Sequence, residues 1–287
     1  MSTQPQHQQH FGLKLSGQNT TIEDLRAVWK IGDEAGFDHI WDFDHFASIG
    51  AGGPDKPVFE GWALQAAMAE ATSRVRIGCN VTGNTYRHPV QLAKLATTVD
   101  HLSGGRLEFG IGAAWAEIEH KMYGWEGLDH RVGRLSESLR IIKAVWTQER
   151  VTFDGRYYHL QDAIANPKPV QKPHPPIWIG AGGEQMLKLV ARYADVWNPS
   201  GAARDDTKAA WQKVREACER IGRDPAEIRL ATTVRFGEGG VAHLIADLQA
   251  AIEEGFSEHM IYLPEEDAPR SAHLVAEALP RLHALAA

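Results

Sequence analysis

The feature that most constrains this chain is a rhythm. Short β-like runs alternate with amphipathic helical stretches from one end to the other, eight times over. Phe11–Ser16 reads as the first strand, and Thr21 caps a helix in which Ile22, Leu25, Trp29 and Gly32 share one face. His39–Phe46 is the second strand, with Gly61–Ser73 as its helix. Arg74–Val81 is the third, and its helix opens on Pro89, a residue suited to a first helical turn. Arg106–Gly112, Pro176–Gly180, Asp195–Pro199, Ile228–Val234 and His259–Leu263 complete the set, each followed by a helical stretch. Eight β–α units in 287 residues match the length and order of an α/β fold of the (β/α)8 TIM-barrel type. An open doubly wound sheet uses the same alternation, but the count of eight and the helix at the very end favour the barrel.

The rhythm breaks once. Val151–Leu160 has the pattern of a hairpin with Asp154-Gly155 at a two-residue turn, and a proline-rich link runs from Pro167 to Pro176. The expectation is one barrel domain over 11–287, with an insert at about 151–176 and a disordered Gln/His-rich tail over 1–10.

Formal charge is −7, from 30 Lys+Arg against 37 Asp+Glu, so no global basic field draws nucleic acid. No apolar run approaches the ~20 residues a bilayer requires, and the N-terminus lacks the apolar core of a signal peptide. Cys79 and Cys218 lie far apart, with neither disulfide-framework nor metal-ligand spacing. The chain reads as cytoplasmic, with no nucleic-acid or membrane partner. Asp42, Asp44 and His45 are adjacent, but strand alternation sends His45 away from the two acids, which argues against a metal site.

A barrel of parallel strands does its chemistry at the C-terminal strand ends, and four of the loops there carry suitable residues. Asp44 and His45 stand where the second strand gives way to a Gly/Pro-rich loop. An imidazole is readily tuned for proton transfer, and a neighbouring acid fixes its tautomer; the same pair also serves as a loop-ordering cap, and the residues alone leave both open. After the third strand, Asn80-Val81-Thr82-Gly83 begins a polar stretch too long for a minimal turn, either a ligand-contacting loop or a capped helix start. After the fourth, Gly110-Ile111-Gly112-Ala113-Ala114-Trp115 lets a flat ligand or a backbone come close, although the third glycine of a dinucleotide fingerprint is missing. After the fifth, Ala181-Gly182-Gly183-Glu184-Gln185 runs straight into a helix, whose free amides and dipole make it the best phosphate candidate.

These loops, in this order, resemble the bacterial-luciferase-like flavin and deazaflavin oxidoreductases. The stretches that carry the resemblance are Trp41-Asp-Phe-Asp-His-Phe46, Thr85-Tyr-Arg-His-Pro89, Asp100-His-Leu-Ser-Gly-Gly-Arg106, Gly110-Ile-Gly-Ala-Ala-Trp115, Ile177-Trp-Ile-Gly-Ala-Gly-Gly183 and Ala191-Arg-Tyr-Ala-Asp195, and it extends from about Phe11 to Leu263. It implies a TIM barrel with an inserted segment and a flat tricyclic cofactor on the C-terminal rim. The Asp-His-Phe form of the second-strand motif resembles the branch that uses coenzyme F420, with FMN as the alternative cofactor. Hydride transfer between the deazaflavin and a small organic substrate is the implied activity, and a monooxygenase using reduced FMN and oxygen the alternative. A barrel that has lost catalysis is a third reading, which the polar rim loops argue against.

The resemblance further implies that Asp44, His45, Asn80, Val81, Thr82, Gly83, Gly112, Ala113, Trp115, Ala181, Gly182, Gly183, Glu184 and Gln185 contact the cofactor. His45 would exchange the proton, and Asp44 would orient it or touch the ring. A non-prolyl cis peptide maps onto Asn80–Val81, and a homodimer is common among such relatives. The chain departs from the pattern at Trp115, where some deazaflavin dehydrogenases carry a carboxylate. Glu117 and Glu119 are near but lie further along, so acid–base work falls mainly to His45.

Overall fold

The computed structural model describes residues 7–50, 52–126 and 128–285. Its strands, in chain order, are β1 (His10–Lys14), β2 (His39–Asp42), β3 (Arg76–Cys79), β4 (Thr82–Gly83), β5 (Leu107–Gly112), β6 (Val151–Asp154), β7 (His159–Ala163), β8 (Ile177–Ala181), β9 (Val196–Pro199), β10 (Arg229–Arg235) and β11 (Glu258–Tyr262). The helices are α1 (Ile22–Ala35), α2 (Gly61–Ala71), α3 (Pro89–Leu102), α4 (Glu117–Tyr123), α5 (Arg131–Thr147), α6 (Glu184–Tyr193), α7 (Ala202–Asp205), α8 (Thr207–Ile221), α9 (Gly240–Glu253) and α10 (Ala268–Ala284). The sheet runs β3-β2-β1-β11-β10-β9-β8-β5-β4, and a β3–β5 pairing closes it. Its pairings are parallel, as in β1 with β11 and β2, and β5 with β8. β3 and β4 together make one barrel strand, interrupted at a cis Asn80–Val81 peptide, so the expected eight-stranded TIM barrel is the fold.

Helix starts follow the expected chemistry. The Thr21 hydroxyl accepts from the Asp24 amide at the head of α1, and Leu25, Val28, Trp29 and Gly32 face inward. Most of the core lies between helices and sheet. Inside the barrel, Trp41, Trp178, Val196, Ala231 and Met260 form a second apolar plug, with the two indoles 4.3 Å apart between centroids. Beneath it the buried carboxylates are paired, Glu108 with Arg76 and the Trp178 indole, and Glu258 with Arg229 and His10. The N-terminal end of the barrel is thereby sealed, and the open end is the C-terminal rim.

Four expectations need correction. The second strand stops at Asp42 rather than Phe46, so Asp44 and His45 belong to the loop. His10, assigned to the tail, starts β1, because its imidazole bonds to Glu258 at 2.9 Å; residues 1–6 of that tail lie outside the described residues. The hairpin pairs Asp154 with His159 across a four-residue loop rather than turning on Asp154-Gly155. Glu137 of α5 captures the amides of Arg156, Tyr157 and Tyr158, which holds the wider loop. Finally, a short helix, Glu117–Tyr123, stands between the fourth strand and the helix that follows it, an element the strand–helix rhythm does not announce.

Candidate active site

A cavity of about 1130 Å³ opens on the rim, and all fourteen residues expected to contact a cofactor line it. The arrangement of the acids differs from expectation. Asp44 is fully buried and spends both oxygens away from His45: the Arg87 guanidinium donates to them at 2.5 and 3.0 Å, and the Thr82 hydroxyl donates to the same group. Trp62 donates its indole N–H to Thr82 at 3.2 Å, and Arg87 also reaches Glu60. Asp44 is therefore the anchor that ties the β2 loop to β4 and to the Arg87 segment, and it does not orient the imidazole.

Glu119 does. It is fully buried on α4, and its Oε2 lies 3.0 Å from His45 Nδ1. Tyr86 donates its hydroxyl to the same oxygen, while Oε1 accepts from the Phe46 and Ala47 amides at 2.6 and 3.1 Å. Burial by itself raises this carboxyl, but the hydrogen bonds from His45, Tyr86 and the Phe46 amide outweigh it and bring the group down to about 2. An ionised carboxylate only accepts, so His45 Nδ1 carries its proton and donates it. That leaves the Nε2 lone pair, which has no protein partner among the described residues, on a ring that lines the cavity. Phe43, Trp115 and Tyr86 surround the imidazole at centroid distances of 5.0, 5.6 and 6.3 Å.

The glycines of the rim have a steric explanation. A Cβ at Gly110 would lie 1.9 Å from the Cys79 carbonyl, and at Gly112 and Gly180 it would lie 2.9 and 3.1 Å from the Val81 side chain. These positions admit the Asn80–Val81 bulge into the barrel, so the first close approach they serve is that of backbone. Lys14, which the sequence reading passed over, donates from Nζ to the Asn80 carbonyl and side-chain oxygen at 3.1 and 2.7 Å. Burial lowers its ammonium to about 8. A lysine at the end of an apolar strand was the available signal.

The fifth-strand loop keeps its expected form. Gly183 caps α6 without any side chain taking the first-turn amides, and Gly182 packs so tightly that a Cβ would meet the Ser200 carbonyl at 1.7 Å. Free amides on a Cβ-free cradle fit an anionic group such as a phosphate. Arg204 and Arg235, also passed over, line the same cavity, and neither has a carboxylate partner among the described residues.

Comparison with known proteins agrees with this geometry. Residues 4–278 match the model for the luciferase-like monooxygenases, and the chain belongs to that family. An F420-dependent glucose-6-phosphate dehydrogenase of Amycolatopsis mediterranei is 35% identical over 189 residues, covering 64% of this chain and 55% of that protein. One from Kineococcus radiotolerans is 34% identical over 225 residues, covering 76% and 65%. The matches thus span a little over half to about two thirds of these relatives' length. Among solved structures, an F420-dependent secondary alcohol dehydrogenase in complex with an F420–acetone adduct superposes with a TM-score of 0.83 at 19% identity, covering 96% of this chain and 99% of that one. The F420-dependent tetrahydromethanopterin reductase of Methanopyrus kandleri gives 0.78 at 17%, covering 96% and 100%. At these identities the likeness is one of fold.

Proposed function

We propose that this protein is a coenzyme F420-dependent oxidoreductase that exchanges a hydride with a small organic substrate, with His45 handling the accompanying proton. The observation that carries this reading is the His45–Glu119 pair, which fixes the tautomer of a cavity-lining imidazole and leaves Nε2 as its basic nitrogen. Bound there, the deazaflavin supplies the hydride chemistry, and the protein supplies position and charge.

The roles of the chain's own groups follow. Glu119 holds Nδ1–H, so Nε2 accepts the hydroxyl proton of an alcohol and returns it in the reverse direction; the carboxylate stabilises the imidazolium formed in between. Asp44, through Arg87 and Thr82, fixes the loop that carries His45. The amides after Gly183 and the Gly182 cradle hold the phosphate. The activity named for the relatives above supports the choice of cofactor. The unpaired, buried thiols of Cys79 and Cys218 accord with work in the reducing cytoplasm. A homodimer is the expected assembly, which light scattering checks.

Titrating the cofactor-free protein with F420 and with FMN, followed by absorbance and fluorescence, tests the reading. Tight F420 binding is expected. Tight FMN binding with none of F420 would replace the proposal with a flavin-dependent monooxygenase.

A further inference from the structure

We propose that Lys14 is a positioning residue for the cofactor, its ammonium holding the Asn80 carboxamide at the cavity wall so that cofactor affinity depends on that charge. The proposal rests on the reading above in one respect, that F420 is the ligand. Lys14 closes β1, and its Nζ donates to the Asn80 carbonyl at 3.1 Å and to the Asn80 side-chain oxygen at 2.7 Å. Lys14, Asn80 and Val81 all line the cavity.

The Asn80 side chain has no other anchor among the described residues. Its backbone N–H donates to the Asp42 carbonyl at 3.0 Å, whereas its Nδ2 is buried and unpartnered. Lys14 therefore decides which end of the carboxamide is spent. The oxygen is taken, and the Nδ2 donors stay unsatisfied until an acceptor on a ligand meets them, because buried donors without partners are unfavourable. The same grip steadies Val81, the next residue. Its side chain is what a Cβ at Gly112 or Gly180 would meet at 2.9 or 3.1 Å. Thus β5 and β8 give Val81 room, and Lys14 fixes the residue before it from β1.

The charge that does this has no counterion in the protein. Nζ forms no ion pair among the described residues, and both of its acceptors are neutral oxygens. Asp42 faces it from β2 and Cys79 from β3, and burial pushes both groups up, toward their neutral forms. Arg235 of β10 and Arg204 of α7 repel it, and the Tyr262 ring of β11 lies with its centroid 5.7 Å from Nζ. Burial is the largest cause that brings the ammonium down to about 8.

Two consequences of deprotonation act in one direction. Hydrogen bonds from a charged donor are about twice as strong as those from a neutral one, so the neutral amine holds Asn80 more loosely. Loss of the cation also removes an attraction for a phosphate-bearing ligand. Lys14 is charged below about pH 8 and neutral above it, so cofactor affinity is full below that pH and falls as pH rises through it.

Two measurements test the assignment. In the first, amide hydrogen exchange over residues 80–86 of the cofactor-free protein is compared at pH 7 for the wild type, Lys14→Met and Lys14→Gln. Exchange about tenfold faster in Lys14→Met is expected, with Lys14→Gln, which keeps a neutral donor, in between. Equal rates in the wild type and both variants overturn the grip on Asn80. In the second, F420 binding is titrated by fluorescence from pH 6.5 to 9.5. The wild-type Kd should stay level to about pH 7.5 and then rise about tenfold, with a ceiling of about thirtyfold if only the protonated form binds. Both variants should bind about tenfold more weakly at pH 7 and show no such rise. A wild-type Kd that stays level to pH 9.5, or a rise that persists in either variant, refutes the role of the charge, and this holds for Lys14→Gln alone should Lys14→Met not fold. Failure of the wild type to bind F420 at any pH would instead refute the cofactor reading, and the exchange measurement would still decide whether Lys14 holds Asn80.

Discussion

Glu119→Gln separates the electrostatic role of the α4 carboxylate from its shape. The amide is nearly isosteric, and its oxygen can still accept from the Phe46 and Ala47 amides at 2.6 and 3.1 Å. Its NH2 end, however, would face two donors, the Tyr86 hydroxyl and His45 Nδ1. To satisfy that NH2, the imidazole must move its proton to Nε2, and it then presents a donor where a base is needed. Loss of the correct tautomer and of the charge that stabilises the imidazolium should lower kcat by about 10²–10⁴. The stability effect follows from linkage. The folded carboxyl lies at about 2 against an ordinary 4.5, a depression that contributes stability in full above pH 4.5 and loses it as pH falls toward 2. Two and a half pH units correspond to an upper value on the order of 3 kcal/mol, reduced to about 2 kcal/mol by water at the cavity rim. Urea melts of wild type and variant at pH 7, 5, 4 and 3 should therefore show a gap of about 2 kcal/mol at neutral pH that narrows below pH 4.5. A gap that stays constant down to pH 3, or a variant with wild-type turnover, would refute the role given to Glu119.

His45→Ala should cost about 10²–10⁴ in turnover, partly restored by added imidazole; full activity without imidazole would remove the proton-handling assignment. Arg87→Met leaves Asp44 fully buried without its cation and should destabilise the fold by about 3–5 kcal/mol in urea melts, so a loss under about 1 kcal/mol would show that Asp44 is anchored in some other way. Gly182→Ala drives a methyl to 1.7 Å from the Ser200 carbonyl and should cost about 1–3 kcal/mol along with weaker F420 binding, whereas Gly183→Ala meets open space and should cost about 0.5 kcal/mol. Equal losses at the two glycines would contradict the cradle geometry.

The barrel was legible because its evidence is periodic and redundant. Each unit buries an apolar strand beneath an amphipathic helix, and an error of a few residues at one boundary, such as Phe46 for Asp42, leaves the count of eight unchanged. The hairpin shows the limit of local turn chemistry. Asp154-Gly155 has the composition of a two-residue turn, but Glu137, nearly twenty residues away in sequence, offers its carboxylate to three successive amides and opens the loop. His10 fails for a related reason. Its strand character depends on pairing with β11, whose Glu258 lies 248 residues downstream.

The site was legible where function depends on the chain's own local sequence. The Asn80–Gly83 bulge, Gly112 at the end of β5, Gly182 and Gly183 after β8 and the uncapped start of α6 are all set within a few residues of a strand end, and all of them line the cavity. What stayed hidden is the pairing of side chains across loops. Asp44 and His45 are adjacent, which made them look like a couple. Adjacent residues leaving a strand diverge, however, and Asp44 turns to Arg87 while His45 turns to Glu119, 74 positions away. The acid that seemed missing at Trp115 is supplied one helical turn later by a segment not expected to be helical. On α4, Glu117 points to solvent and pairs with Lys121, while Glu119 is buried. Two residues of helical rotation thus decide which of two nearby acids reaches the imidazole. The carboxylate that the sequence lacks at Trp115 thus stands behind the histidine, bonded to Nδ1, while the Trp115 indole stands edge-on to the same imidazole at 5.6 Å.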